Sequence, residues 1–346
     1  MLVTVKRTGK QTLLFPNAPS VIGFGNAVGK KEGEGPLKAT FDYIDKDDTF
    51  GQSSWEKAET QMQKQALESA LSGANITVND LDLLFAGDLL NQCIGTAYHA
   101  RSQAVSFFGL YGACSTMAES LALAAMSVDG GYAKHAVAMT SSHFCSAERQ
   151  YRTPLEYGGQ RTPTAQWTVT GSGAVVLADS GPGPYVTCAT IGQIQDKGIK
   201  DANNMGAAMA PAAYETLKAH FSDTGKKPSD YDLIVTGDLG QLGRDIVVDF
   251  FRKDGVVLED NYNDCGLLMF DLKKQDVHCG GSGCGCSAAV LAGHLLSGMR
   301  KGLWKNLLFC GTGALHSPTA IQQGESIPGI CHAVALSTQK PQKSQE

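Results

Sequence analysis

The spacing of apolar and polar residues changes period several times along this chain, and each change marks an element. After an extended start around SVIGFG (20–25) and a polar loop rich in Lys, Glu and Gly, residues 54–73 place apolar side chains at helical spacing. Ser53 or Ser54 stands as the cap and Glu56 falls in the first turn. LDLLFAGDLL (81–90) reads as a buried strand that ends at Gly87 and Asp88. AYHARSQAVSF (97–107) reads as a helix, with His99 and Arg101 in solvated or interface positions.

The strand phrase then returns as YDLIVTGDLG (231–240), again preceded by a helical segment, MAPAAYETLKAHF (209–221). In each copy an Asp opens an apolar run and Gly-Asp closes it, so Asp88 matches Asp238. A second pair follows in the same order: CSTMAESLALAAMSVDGGYAKHAVAM (114–139) and CSAAVLAGHLLSGMRKGLWKNLLFCG (286–311). Each starts a small-residue helix at Cys-Ser, turns at glycine and enters an apolar strand. Setting Gly131 on Gly302 places Lys134 on Lys305. Two ordered pairs predict two halves of one topology, an α/β fold of five alternating layers, α-β-α-β-α, in which the halves cover their sheets jointly. The join is expected at SGPGPY (180–185), between strands GSGAVVLA (171–178) and YVTCATIG (185–192). This gives halves 1–182 and 183–338 and a polar tail, 339–346, expected to be disordered.

Composition narrows the function classes. A net charge of −5 with no long run of one sign gives no reason to expect nucleic acid. No segment approaches the roughly 18–20 apolar residues of a membrane span, and the first ten residues lack a secretory apolar run. Ten cysteines without paired spacing favour a reducing compartment over a disulfide scaffold. His278, Cys279, Cys284 and Cys286 in HCGGSGCGCSA (278–288) are soft ligands, but no second knuckle accompanies them, so no metal site is expected. GFGNAVG (23–29) has the wrong glycine spacing for a dinucleotide fingerprint, and the polar stretch after it does not read as a helix.

The chemistry is expected at Cys114, in GLYGACSTMAESL (109–121), where the chain turns sharply and Ser115 and Thr116 open a helix. Free first-turn N–H groups and the macrodipole would favour a thiolate there, or an anion. The alternative is a small buried cysteine that only packs. Strand ends should gather Asp88, Asn91, Ser141, Ser142, His143, His316 and Ser317 nearby. Asp88 reads equally as a turn or cap residue, and His143 and His316 read equally as hydrogen-bonded loop histidines.

The duplication, with a Cys-led helix in the first half, resembles the thiolase and ketoacyl-synthase superfamily. More narrowly, GDLLNQ (87–92), GACSTMAES (112–120), MGAAMAPAA (205–213) and CGGSGCGCSA (279–288) resemble the stage V sporulation protein AD family of spore-forming bacteria. The wider resemblance implies a nucleophile at Cys114, a histidine after the second-half strand and a second His or Asn before the second-half helix. Here those two positions fall on Gly237 and on Cys284 or Gly285, which cannot supply a base or an oxyanion donor through a side chain. The narrower resemblance implies a non-catalytic binding protein for dipicolinic acid, free or as its calcium chelate, used in uptake into the developing spore. It implies other SpoVA membrane proteins as partners and a place on the cytoplasmic side or periphery of the inner spore membrane. The expected ligand-binding residues are Cys114, Ser115, Thr116, Asp88, His143 and His316, with a ligand carboxylate on the N–H groups of Cys114 to Thr116. Asp88 would cap the helix, meet a protonated ligand or help hold calcium, and these remain open. No resident cofactor is expected. The alternative is an acyltransferase or condensing enzyme that uses Cys114 with His143 or His316. Family analogy implies a homodimer paired through HAVAMTS (135–141) as an edge strand.

Overall fold

The computed structural model describes residues 6–151, 161–258 and 261–341. Residues 342–346 of the expected tail lie outside the described residues.

Two matched runs of five strands, which join in one larger sheet with three further short strands, carry the molecule. In the first the order is Ser20–Val28, Gly171–Ala178, His135–Ser142, Leu83–Gly87, Ser106–Gly109. In the second it is Tyr185–Ile191, Gly329–Ser337, Asn306–Ala314, Leu233–Thr236, Tyr262–Asp264. The pairing sense along each is the same: two antiparallel contacts, then two parallel ones. The sheets meet edge to edge through one residue pair, Tyr185 and Ser20.

The repeat extends to individual hydrogen bonds. Asp82 Oδ2 accepts from the Lys134 and His135 amides at 2.6 and 3.0 Å, and Asp232 Oδ2 accepts from the Lys305 and Asn306 amides at 2.7 and 2.8 Å. A carboxylate before each parallel strand thus satisfies two N–H groups at the start of its neighbour, which the ladder leaves unpaired. Each copy is also preceded by a turn in which an Asp Oδ2 accepts from the backbone amide three residues earlier, Asp80 from Thr77 at 2.8 Å and Asp230 from Lys227 at 2.7 Å.

Helices fill three further layers. Trp55–Ala74 covers the first sheet, and Ser54 caps it by accepting from the Lys57 amide. Met205–Thr224 covers the second sheet, and Gly240–Lys253 packs beside it. Between the sheets lie Thr116–Asp129 and the run Cys284–Val290, Leu291–Leu295, Leu296–Arg300, whose middle section is a π-helix. Thr116–Asp129 is rich in Ala and buried on most of its circumference, as a helix between two sheets must be.

Three local expectations are corrected. AYHARSQAVSF is not one helix: Ile94–Ala100 is helical and Ser106–Gly109 is a strand. His99 is 1% exposed rather than solvated, and burial together with Lys64 pushes its imidazole down to about 4. The polar stretch after GFGNAVG does form one helical turn, Lys30–Gly33. The segment HAVAMTS lies inside its sheet, between Leu83–Gly87 and Gly171–Ala178, so it offers no free edge. Its apolar content on both faces is that of a central strand. The edge is Ser106–Gly109, where Phe108 is 53% exposed.

Candidate functional site

The chain reaches Cys114 by a strand, a sharp turn and a helix. Ala113 holds φ at 51°, a left-handed conformation that non-glycine residues adopt rarely, and the turn Ala113–Ser115 then feeds the helix Thr116–Asp129. The second-half strand Asn306–Ala314 packs directly against this turn. A Cβ on Gly311 would sit 2.6 Å from Ala118 Cβ, and one on Gly313 would sit 2.6 Å from the Gly112 carbonyl, so glycine is what permits the approach.

Two of the three N–H groups expected to meet a ligand are already paired. The Ser115 amide donates to the Gly112 carbonyl at 3.1 Å and the Thr116 amide to the Ala113 carbonyl. The side chains turn inward as well: Ser115 Oγ donates to Gly112 O at 2.7 Å and Thr116 Oγ1 to Ala113 O at 2.6 Å, and both residues are fully buried.

The partner of the Cys114 thiol is Asp238, from the second half. Its carboxylate is a close neighbour of the sulfur, with Ser282 and Gly283 beside it. Asp238 is wholly buried; its Oδ2 accepts from the Gly283 amide at 2.8 Å and Ser282 Oγ at 3.2 Å, and its Oδ1 accepts from Thr312 Oγ1 at 2.9 Å. Burial and this neighbouring carboxylate push the Cys114 thiol well above its ordinary range, opposite to the lowering expected from a helix N-terminus. Desolvation of the sulfur leads, and the neighbouring Asp238 carboxyl, itself pushed up by burial, adds to it; together they outweigh the half-charge of a helix end.

Cys114 opens onto a cavity of about 40 Å³ with walls that include Ala147, Glu148, Thr168, Ser282 and His316. Among the described residues no lysine or arginine lines it. Glu148 is buried and accepts from Thr168 Oγ1 at 2.9 Å. Cys284 packs beside Cys114 and donates its thiol to the Ser141 carbonyl at 3.0 Å. Tyr111 and Tyr151 close the outer side: their hydroxyls meet each other, and both donate to the Leu89 carbonyl. Beyond them lies a larger cavity of about 510 Å³ that shares Tyr111, Tyr151 and His316 with the inner one.

Of the residues picked from sequence, Cys114 and His316 therefore share a cavity. Asp88 does not line it: Oδ1 accepts from the Leu90 amide at 2.7 Å, and Oδ2 accepts from the Thr96 amide and hydroxyl, each at 2.7 Å. That is the work of a turn and cap residue. His143 also stands elsewhere, its Nε2 on the Asp48 carbonyl at 2.8 Å and its Nδ1 accepting from the Cys145 amide at 3.2 Å, and burial lowers its pKa. Ser142 Oγ is turned to the Val169 carbonyl at 2.7 Å.

The family model for stage V sporulation protein AD matches residues 9–337. Stage V sporulation protein AD of Bacillus subtilis (strain 168) is 48% identical over 332 residues, which are 96% of this chain and 98% of that protein. The chain belongs to the stage V sporulation protein AD family. A sporulation role follows from that membership. Solved structures extend the fold likeness to condensing enzymes at much lower identity. A variant of Xanthomonas campestris OleA superposes with a TM-score of 0.59 at 15% identity, over 93% of this chain and 99% of that one. The 3-oxoacyl-[acyl-carrier-protein] synthase III of Aquifex aeolicus superposes with a TM-score of 0.55 at 15% identity, over 92% and 100%. The fold is thus thiolase-like.

Sequence reasoning placed the wider family's histidine position at Gly237 and did not anticipate the next residue, Asp238, as a neighbour of the cysteine. The signal was present, since the repeat had already paired Asp238 with Asp88. Tyr111 and Tyr151 were missed because nothing in their local sequence tells that two distant tyrosines converge on one carbonyl. No helix among the described residues is long and apolar enough to cross a membrane.

Proposed function

We propose that this protein binds dipicolinic acid, free or as its calcium chelate, for uptake into the developing spore, and performs no chemistry on it. In this reading it works at the periphery of the inner spore membrane with other SpoVA membrane proteins, and as a homodimer. What supports the non-catalytic half is that Cys114 is buried with the Asp238 carboxyl as its neighbour, and both oppose ionisation of the thiol. Acyl transfer to cysteine needs a thiolate, and burial beside a carboxyl group, with no lysine or arginine among the described residues of the cavity, keeps the sulfur protonated. Moving the proton onto Asp238 would only exchange one buried anion for another.

The sporulation role of the family and the aromatic, polar cavities outside Cys114 support the ligand. One acid, Glu148, and among the described residues no lysine or arginine line the inner cavity, which disfavours a bare dianion there. Calorimetry with dipicolinate, with and without equimolar calcium, tests the reading. Heat of binding is expected with at least one form, and silence at millimolar ligand with both forms would end it. A second reading, acyl transfer at Cys114, is favoured by one observation: His316 lines the same cavity. Mass spectrometry after incubation with acetyl-CoA separates the two. An unmodified Cys114 is expected, and an acyl adduct there would overturn the non-catalytic reading.

A further inference from the structure

We infer that the ligand is received in the outer cavity, between the Tyr111–Tyr151 pair and the turn at Asn91–Cys93, and not in the space at Cys114. This rests on the dipicolinate reading and says where on the molecule that reading operates.

Size is the first argument. The inner cavity of about 40 Å³ has room for a few waters, whereas the outer one offers about 510 Å³. A pyridine ring with two carboxylates fits only the second. Charge is the next. The inner walls carry Glu148, with Asp238 directly behind Cys114, while the described outer lining holds no Asp or Glu and presents amides and hydroxyls instead. A carboxylate ligand, even when compensated by a cation, meets repulsion inside and hydrogen-bond donors outside.

Shape supports the same assignment. Tyr111, Tyr151 and His316 give the outer cavity an aromatic wall suited to a flat ring, and the Tyr151 and His316 ring centroids lie 5.8 Å apart. The opposite side is a strained turn. Gln92 and Cys93 are consecutive non-glycine residues with φ of 57° and 50°, a left-handed conformation that such residues adopt rarely. Supports hold it in place: the Asn91 amide donates to Gln150 Oε1 at 3.1 Å, and the Cys93 thiol donates to the Leu110 carbonyl at 3.1 Å. Strain kept by dedicated hydrogen bonds at a cavity wall is what a ligand-positioning turn requires.

The test fills each compartment separately and measures dipicolinate affinity, with and without calcium, by calorimetry. Thr319, an exposed residue of the outer cavity, tolerates Thr319→Trp without disturbing the core. That variant is expected to weaken binding by about tenfold or more, by occupying the ring's space. Ala147→Leu crowds the inner cavity and Cys114→Ser changes its chemistry, and both are expected to bind within about threefold of the parent. Melting curves on all three identify any variant that fails to fold, and Cys114→Ser, the mildest change, keeps the inner arm readable. Loss of binding in the inner variants with retention in Thr319→Trp would overturn the assignment while the dipicolinate reading stood. Absence of binding in the parent protein would remove both.

Discussion

Replacing Glu32 with glutamine should make the protein markedly less sensitive to alkaline pH. Glu32 is 1% exposed; its Oε1 accepts from the Thr170 amide at 3.0 Å, and its Oε2 is buried without a hydrogen-bond partner. That oxygen faces Asp48, since a Cβ on Gly29 would meet Asp48 Oδ1 at 2.2 Å and Glu32 Oε2 at 2.9 Å. Burial first and the Asp48 carboxylate second push Glu32 from 4.5 to about 8, against a weaker pull from Lys31. The folded protein therefore keeps a proton on Glu32 that the unfolded chain releases above about pH 4.5. Stability is fully present below that pH and falls by about 1.4 kcal/mol per unit until the folded group ionises near pH 8. Between pH 6 and 9 only the two units up to about 8 count, so this residue accounts for a loss of about 3 kcal/mol. Glu32→Gln carries no such proton, retains the acceptor for Thr170 and brings an N–H toward Asp48. Urea unfolding of parent and variant at pH 6, 7, 8 and 9 isolates the effect, because other groups, the buried thiols included, titrate alike in both. The difference in stability should move by about 3 kcal/mol in favour of the variant across that range. Parallel pH profiles would refute the reasoning and mean that Glu32 is solvated or paired.

Three further outcomes follow from the same geometry. Asp238→Asn removes the carboxylate that opposes Cys114 ionisation, so alkylation of Cys114 by iodoacetamide at pH 8, read by peptide mass spectrometry, should quicken by roughly tenfold or more; an unchanged rate would mean that access alone limits the sulfur. Asp82→Ala and Asp232→Ala each strip two charge-assisted amide contacts at equivalent strand starts, and each should cost about 1–3 kcal/mol in chemical denaturation; a neutral effect at either would deny the structural equivalence. Phe108→Glu places a charge on the exposed edge strand, so the proposed homodimer should shift to monomer in light scattering; an intact dimer would place the interface elsewhere.

The repeat was legible in the sequence because its signals are local. An Asp before an apolar run, a Gly-Asp after it and a small-residue helix ending in glycine recur in order, and the first of these became matched hydrogen bonds beside matched strands. Strand GSGAVVLA was read to the residue because its apolar run is bounded on both sides. The edge of the first sheet was not legible. HAVAMTS and SFFG both read as strands, and only the assembled sheet tells which one has a neighbour on each side. The ionisation of Cys114 was misjudged for a related reason: the helix end can be seen within ten residues of sequence, but the carboxylate that outweighs it arrives from the other half.

The repeat also explains why one Asp of the matched pair reaches the cysteine and the other does not. Asp88 spends its oxygens on its own half, on Leu90 and Thr96. In the second half the turn after the strand is held by a different acid: Asp264 accepts from the Leu239 and Gly240 amides at 2.9 and 3.1 Å. Asp264 ends the strand paired with Leu233–Thr236, and the strand in the same place in the first half ends at Gly109, which has no side chain to offer. With its local duty taken by Asp264, Asp238 is free to turn toward Ser282, Gly283 and the Cys114 thiol. Beyond burial, the carboxyl group beside the sulfur is therefore traced to one difference between two copies of the same motif, an aspartate against a glycine at the end of an edge strand. An acid that held its own turn, as Asp88 does, would leave the Cys114 thiol without a carboxylate to oppose its ionisation.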